Sequence, residues 1–386
     1  MIVYENLPPL SPRAGFLRAV SGWLDAALVE FGPEGTMHYA QSSIGGDVQN
    51  LFTTGLEEKQ IIFGDTDNLE DAIRELDRIA APKVLFVTSS PVSEIIGTDL
   101  EGLCHRLQQE VSARLLCWDR IPMEGREELG FEQAHTMAAQ ALTQAGRPRE
   151  AGENRALVLG LDASAWNGTA DVNEIRRMLR DYLGVALLNR QDGKYALSDV
   201  RKADWILVAD PCALPLATAA QTLWGTPWYC GLPYGISGSH KMLCHAEKAL
   251  KLNRNPGWQE ESRRVSRIIF NFRMNTPQGI HPLRIDVRES RQSALLEFLT
   301  EEAGLPFQPP QDATTFCKTG MVGPLQDVSP GTVFLGCGAA CELHPQAATL
   351  CLDYPTLSRQ MLTPYIPYTG IQGAANLLHT LYPFLQ

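Results

Sequence analysis

One pattern recurs along the chain: an apolar run of strand length, then a Ser-, Gly- or Asp-rich turn, then apolar residues at helical spacing. KVLFVTSS (83–90) reads as a buried strand running into a Ser-rich turn, with a helix expected from Ser93 onward. Ahead of it, residues 67–79 carry Leu69, Ile73, Leu76 and Ile79 on one helical face, with Asp67 as expected N-cap and Pro82 as stop. ARLLCW (113–118) is the next strand, and the polar stretch 143–155 reads as a linker. A second unit opens with ALVLGLD (156–162), followed by a helix over 171–183 that Gly184 caps, then VALLN (185–189) and DWILVAD (204–210). A third opens near LRIDV (283–287), with a helix over 290–303 ended by Gly304. TVFLGCG (332–338) and ATLCLDYP (348–355) supply its strands, and GIQGAANLLHTLYPFL (370–385) is a terminal helix.

Strands alternating with helices specify an α/β chain of parallel, doubly wound sheets. Three Rossmann-like domains around a central cleft, over 1–150, 151–280 and 281–386, are the expected organisation. Ligands of such sheets bind beyond the carboxyl ends of strands, which selects the turns after Val87, Ala209 and Leu335. The net charge of −11 excludes a basic surface for nucleic acid or anionic membrane. The nearest candidate, Arg176, Arg177 and Arg180, reads as a solvated helix face. No stretch approaches the ~20 apolar residues of a membrane span. MIVYENLPPL lacks the basic start and apolar run of a secretory signal. The expected compartment is the cytoplasm, and the nine cysteines read as reduced thiols.

Four turns hold chemistry-bearing residues. FGPEGTMHYAQSS (31–43) presents Thr36, His38, Gln41, Ser42 and Ser43 at a Gly-Pro corner. In TSSPVSEIIGTDL (88–100), Ser89, Ser90 and Ser93 meet a helix N-terminus, where they either cap it or help its N–H groups receive a polar ligand. VADPCALP (208–215) places Asp210 and Cys212 at a strand end, and LGCGAACELH (335–344) does the same for Cys337 and Cys341. Cys337 and Cys341 form a C-x3-C pair, which reads either as metal ligands or as small core thiols. Cys104, Cys117, Cys230, Cys244, Cys317 and Cys351 read as packing residues. There is no phosphate-binding G-x-x-x-x-G-K-[ST], no G-x-G-x-x-G after a strand, no G-x-S-x-G elbow and no C-x2-C pair.

Six stretches in order resemble the nitrogenase component 1 family. They are SPRAG (11–15), FGPEGTMHYAQ (31–41), FGDTDNLEDAI (63–73), TSSPVSEIIGTDL (88–100), the segment from VADPC to WGTPWYCGLPYGISGSHKML (208–243), and YPTLSRQ with YIPYTGIQGAANLL (354–378). The first four correspond to the family's "SPR.G", "HGPxGC", "FGG…L…AI" and "TC…E.IGDD". The family includes the molybdenum–iron protein subunits, a cofactor-assembly scaffold pair, and the catalytic subunits of dark-operative protochlorophyllide reductase. The resemblance implies three Rossmann-like domains and an α2β2-like assembly with a second component 1-type chain. It also implies electrons from a separate ATP-dependent iron–sulfur reductase, used to reduce an unsaturated or tetrapyrrole-like substrate.

The departures are specific. First-domain cysteines of the family hold an interface iron–sulfur cluster, but the matching positions here are Thr36, Pro91 (or its neighbour Ser90) and residues 7–10. The first 103 residues contain no cysteine. None of these side chains supplies a thiolate, so any such cluster would be ligated mainly by a partner chain. By resemblance Cys212 falls near a cofactor-binding cysteine of the nitrogenase catalytic subunit, and Cys337 lies in the matching turn of the third domain. The expected cleft is lined by His38, Gln41, Ser90 and Asp210, with Cys212, Cys337 and Cys341 as possible metal ligands. Three readings stay open: a reductase subunit, a non-catalytic scaffold or carrier for a metal cofactor or tetrapyrrole, and a cluster-free homo-oligomer.

Overall fold

The computed structural model describes residues 11–44, 49–63, 65–122, 125–150, 152–277, 279–280, 283–287, 289–307, 333–337, 348–353 and 366–385. The first sheet takes β1 (Ala26–Phe31), β2 (Leu51–Thr53), β3 (Val84–Ser89) and β4 (Arg114–Trp118) in the order β2-β1-β3-β4, all parallel. Its helices are α1 (Pro12–Ser21), α2 (Glu34–Ser43), α3 (Glu58–Phe63), α4 (Asp67–Ile79), α5 (Pro91–Ile96), α6 (Leu100–Leu107) and α7 (Glu127–Ala145). The second sheet repeats the design with β5 (Arg155–Leu159), β6 (Ala186–Leu187), β7 (Trp205–Val208) and β8 (Trp228–Cys230) in the order β6-β5-β7-β8. With it go α8 (Gly168–Leu183), α9 (Leu214–Trp224), α10 (Gly235–Leu250) and α11 (Gly257–Asn275). The third holds β9 (Arg284–Asp286), β10 (Val333–Cys337) and β11 (Ala348–Asp353), with α12 (Glu289–Glu297) and the terminal α13 (Gly370–Leu381).

The central strands are buried throughout and apolar except toward their carboxyl ends, because both faces are covered. Ala26 and Leu28 of β1 join one core, Ala27, Val29 and Phe31 another, and β3 divides its residues the same way. The core under Ala26 and Leu28 also contains Leu157 and Leu159 of β5 and Ile206 and Val208 of β7. The first two sheets therefore share one core, filled largely by α1, α7 and α9. The opposite face of the second sheet joins the third sheet and α13. Asp171 on α8 fixes the approach to α13, accepting the Tyr368 and Thr369 N–H groups at 2.8 and 3.0 Å. Burial pushes the Asp171 carboxyl up, and Arg291 and these two donors pull it back.

Several local expectations are adjusted. Asp67 is the first helical residue of α4 rather than its cap, because Asp65 Oδ1 already receives its N–H at 2.9 Å. The helix expected over 290–303 loosens after Glu297 into a π-turn, Phe298–Glu302, before Gly304 at φ +70°. The segment read as a linker begins only after α7 ends, and it is pinned by Arg149–Asp204 (2.6 Å) and Arg201–Glu150 (3.1 Å). Of the three arginines read as a solvated face, only Arg180 is one. Arg176 donates to the carbonyls of Leu187, Asn189 and Arg190, and Arg177 pairs with Glu174 and Glu261.

Helices α1 and α7 touch backbone to backbone through two glycines. A Cβ on Gly15 would stand 1.8 Å from the Glu127 carbonyl oxygen, and one on Gly130 would stand 1.7 Å from that of Pro12. Gly130→Ala is expected to destabilise the chain by about 3 kcal/mol in urea unfolding, by forcing the helices apart. On the same helix, buried His135 donates from Nδ1 to the Phe131 carbonyl at 2.8 Å and meets Trp23 edge-on. Burial lowers its pKa from 6.5 to about 4. Between those values the unfolded chain binds the extra proton, so stability falls as pH drops from 6.5 toward 4, by roughly 3 kcal/mol at most. His135→Gln is expected to flatten that slope in unfolding curves taken across the window.

Candidate functional site

In the first sheet the strand order reverses between β1 and β3, and the carboxyl ends of these parallel strands lie side by side, with Phe31 opposite Ser89. A ligand crevice is expected at such a point. Gly32 is required there, since a Cβ would come within 2.5 Å of the Ser90 Cβ. Its carbonyl accepts from the Thr53 hydroxyl at 2.7 Å and the Leu56 N–H at 2.9 Å, which locks the Gly-Pro corner and starts α2 at Glu34. On the other side Ser90 caps α5. Its hydroxyl accepts the Ser93 N–H at 3.1 Å, and the Ser93 hydroxyl accepts the Ser90 N–H at 2.8 Å.

A cavity of about 420 Å³ opens at this point, lined by Ser11, Arg13, Gly35, Thr36, Pro91, Glu94, Ile121 and Pro122. The structure thus brings together Thr36 and Pro91, the two positions that the motif resemblance matches to cluster cysteines. Beneath them lies Glu30, an acid with no exposed surface near the carboxyl end of β1. Arg13 Nε donates to Glu30 Oε2 at 2.5 Å, and its Nη2 pairs with the same oxygen. The Thr36 hydroxyl stands 2.8 Å from Glu30 Oε1 and 2.7 Å from the Pro33 carbonyl oxygen. Burial pushes the Glu30 carboxyl up, while Arg13 and then Thr36 oppose the rise. Neutralising Glu30 would leave the Arg13 guanidinium without its counter-ion. Glu94 Oε1 accepts from the Ser89 hydroxyl at 3.1 Å and the Ile121 N–H at 2.9 Å, closing the far wall.

The other expected site residues lie elsewhere. His38 is exposed on α2, and Gln41 donates to the Leu51 carbonyl at 3.3 Å. Asp210 follows β7 and accepts the Cys212 N–H at 3.0 Å. Cys212 is half-buried against the core shared by the first two sheets, and burial followed by Asp210 pushes its thiol up, against the thiolate a metal needs. Cys337 ends β10 where the register with β11 shifts; Cys341, Cys317 and the residues before Ser11 lie outside the described residues. Among the described residues no three His, Cys, Asp or Glu side chains converge as a metal site. Cys244 is more than a packing residue, since its sulfur lies 3.3 Å from His240 Nε2 and accepts from Arg254 Nη2 at 3.2 Å. Sequence reasoning missed Arg13, Glu30 and Glu94. The available signal was the lone acid in AALVEF, a strand otherwise wholly apolar.

Two parallel sheets of Rossmann type, the first with a crevice at its strand-order reversal, followed by a third parallel sheet, define a class of three-sheet α/β proteins. The sequence model for "Nitrogenase component 1 type Oxidoreductase" matches residues 11–280, and the chain belongs to that family. A nitrogenase iron-molybdenum cofactor biosynthesis protein NifE from Mesorhizobium japonicum is 26% identical over 200 residues, 50% of this chain and 39% of that protein. The NifE of Methanococcus maripaludis is 31% identical over 124 residues, 31% of this chain and 25% of that protein. The matched stretch thus spans less than half the length of these relatives. A solved structure, "Nitrogenase Cp1 at pH 6.5", superposes with a TM-score of 0.75 over 100% of this chain and 93% of that one, at 14% identity, a likeness of fold.

The family implies a metal cluster, and the donor set of the cavity does not fit one. A hydroxyl, a proline ring and a paired guanidinium stand where thiolates are needed. The ion pair is instead expected to be structural. Arg13→Met or Glu30→Gln alone should cost about 3–5 kcal/mol in urea unfolding, by leaving one buried charge unpaired. The double variant should recover much of that loss; additive losses would show that the two residues are not coupled.

Proposed function

We propose that this chain is a component 1-type subunit that acts as a scaffold or carrier, holding a metal cofactor or tetrapyrrole with a second component 1-type chain rather than relaying electrons through its own first domain. The observation that carries the reading is the Arg13–Glu30–Thr36 network at the place of an interface cluster. A relay needs a redox centre at that place; a carrier does not. The similarity to proteins named for cofactor biosynthesis supports it. So does the raised thiol of Cys212, which does not offer a permanent ligand. Assembly and transfer would take place in the cytoplasm; no described helix is long and apolar enough to cross a membrane.

A second reading is favoured by the match over nearly the whole length of a nitrogenase chain. In it the chain is one half of a reductase, its partner supplies the cluster ligands, and an ATP-dependent iron–sulfur protein supplies electrons. Anaerobic co-purification with a second component 1-type chain, followed by iron, sulfide and visible-absorption measurement, separates the two. The carrier reading expects iron only as transferable cargo, released to an acceptor, and no reduction by the ATP-dependent partner. ATP-dependent bleaching of a cluster band in the complex would overturn it in favour of the reductase.

A further inference from the structure

A second cavity of about 430 Å³ lies at the opposite pole of the first sheet, at the amino ends of its strands. Asp25, Lys83 and Arg114 reach it from the starts of β1, β3 and β4, and Ser198 and Trp224 close it from the second sheet's side. The cavity sits on the seam where the first two sheets meet. Its size is that of small-molecule sites, and its floor has their apolar character: Ala138, Ala141, Leu142 and Leu197.

The charge of its walls runs against that of the chain. Four cations (Lys83, Arg114, Arg147 and Arg201) and one anion (Asp25) line it, a balance of +3 in a protein of −11. Part of this charge is already used. Asp25 accepts the Leu197 and Ser198 N–H groups and has Lys83 at 3.5 Å; Arg201 pairs with Glu150. Arg114 gives one N–H to the Gln144 side chain at 2.6 Å, and the Arg147 carbonyl holds the Trp224 indole N–H at 3.0 Å. Among the described residues neither guanidinium has a carboxylate within ion-pair distance. Two forked donors without a counter-ion, beside an indole and over an apolar floor, match an anionic group attached to a flat apolar body.

We propose that this cavity binds a small aromatic anion (an aryl or heteroaryl phosphate, sulfonate or carboxylate) through Arg114 and Arg147, with its ring on the Ala138–Leu142 floor. A ligand there touches both sheets and stabilises their seam by linkage. The proposal is independent of the carrier reading and stands if that reading fails. The probe is 1-anilinonaphthalene-8-sulfonate, titrated by fluorescence into the full chain. Saturable single-site binding is expected, with affinity falling steeply between about 50 and 500 mM salt. The double variant Arg114→Ala, Arg147→Ala should weaken it about tenfold or more, while Arg180→Ala, outside the cavity, leaves it unchanged. Should the double variant lose its fold by near-UV circular dichroism, Arg147→Glu on the exposed segment after α7 is read instead, with the same loss expected. Non-saturating binding, or unchanged affinity in the folded arginine variants, overturns the proposal.

Discussion

The backbone contact between α1 and α7 is the constraint on which the rest depends. Two glycines let the helices meet with nothing between them. That closeness places α7 in the core common to the first two sheets, and the same α1 carries Arg13 to Glu30. Without Arg13, Glu30 would be a buried carboxylate with no cation. Such a charge is among the most expensive things a core can hold.

The crevice at the β1–β3 reversal follows from topology alone, and the motif resemblance matches its corner to the family's cluster-binding turns. Here the corner remains and its chemistry has changed. A cluster would bring its own charge and a set of thiolates; the Arg13–Glu30–Thr36 network brings a closed set of partners that need nothing from outside. Arg13 and Glu30 balance each other within the site, whereas the cavity at the opposite pole carries arginines without counter-ions. The two cavities are therefore different in kind: one is sealed by its own ion pair, the other is lined for an incoming anion.

Much of the fold was legible in the sequence, since strand and helix periods are local. The strands around Val84–Ser89 and Trp205–Val208, the αL cap at Gly184 and the helix beginning at Gly370 all follow from apolar spacing and turn chemistry. Errors fell where other residues, near or distant in the chain, compete for local groups. Asp65 replaced Asp67 as the acceptor at the start of α4, and the helix after Glu289 relaxed into a π-turn at Phe298. Arg176 and Arg177 have the spacing of a solvated face, yet loop carbonyls and Glu261 from α11 claim them. At the site, Thr36 and Pro91 were legible by position, but nothing local says what replaces a thiolate.

The sequence by itself determined an alternating, doubly wound α/β chain and the loss of cysteines from its first 103 residues, because periodicity and residue identity are properties of the chain. Only the tertiary structure decided that the first two sheets share one core, that Arg13 reaches Glu30 across 17 residues of separation, and that a cationic cavity opens between the strand starts and Trp224. Each of these depends on how elements far apart in the sequence pack against one another, which no local period encodes.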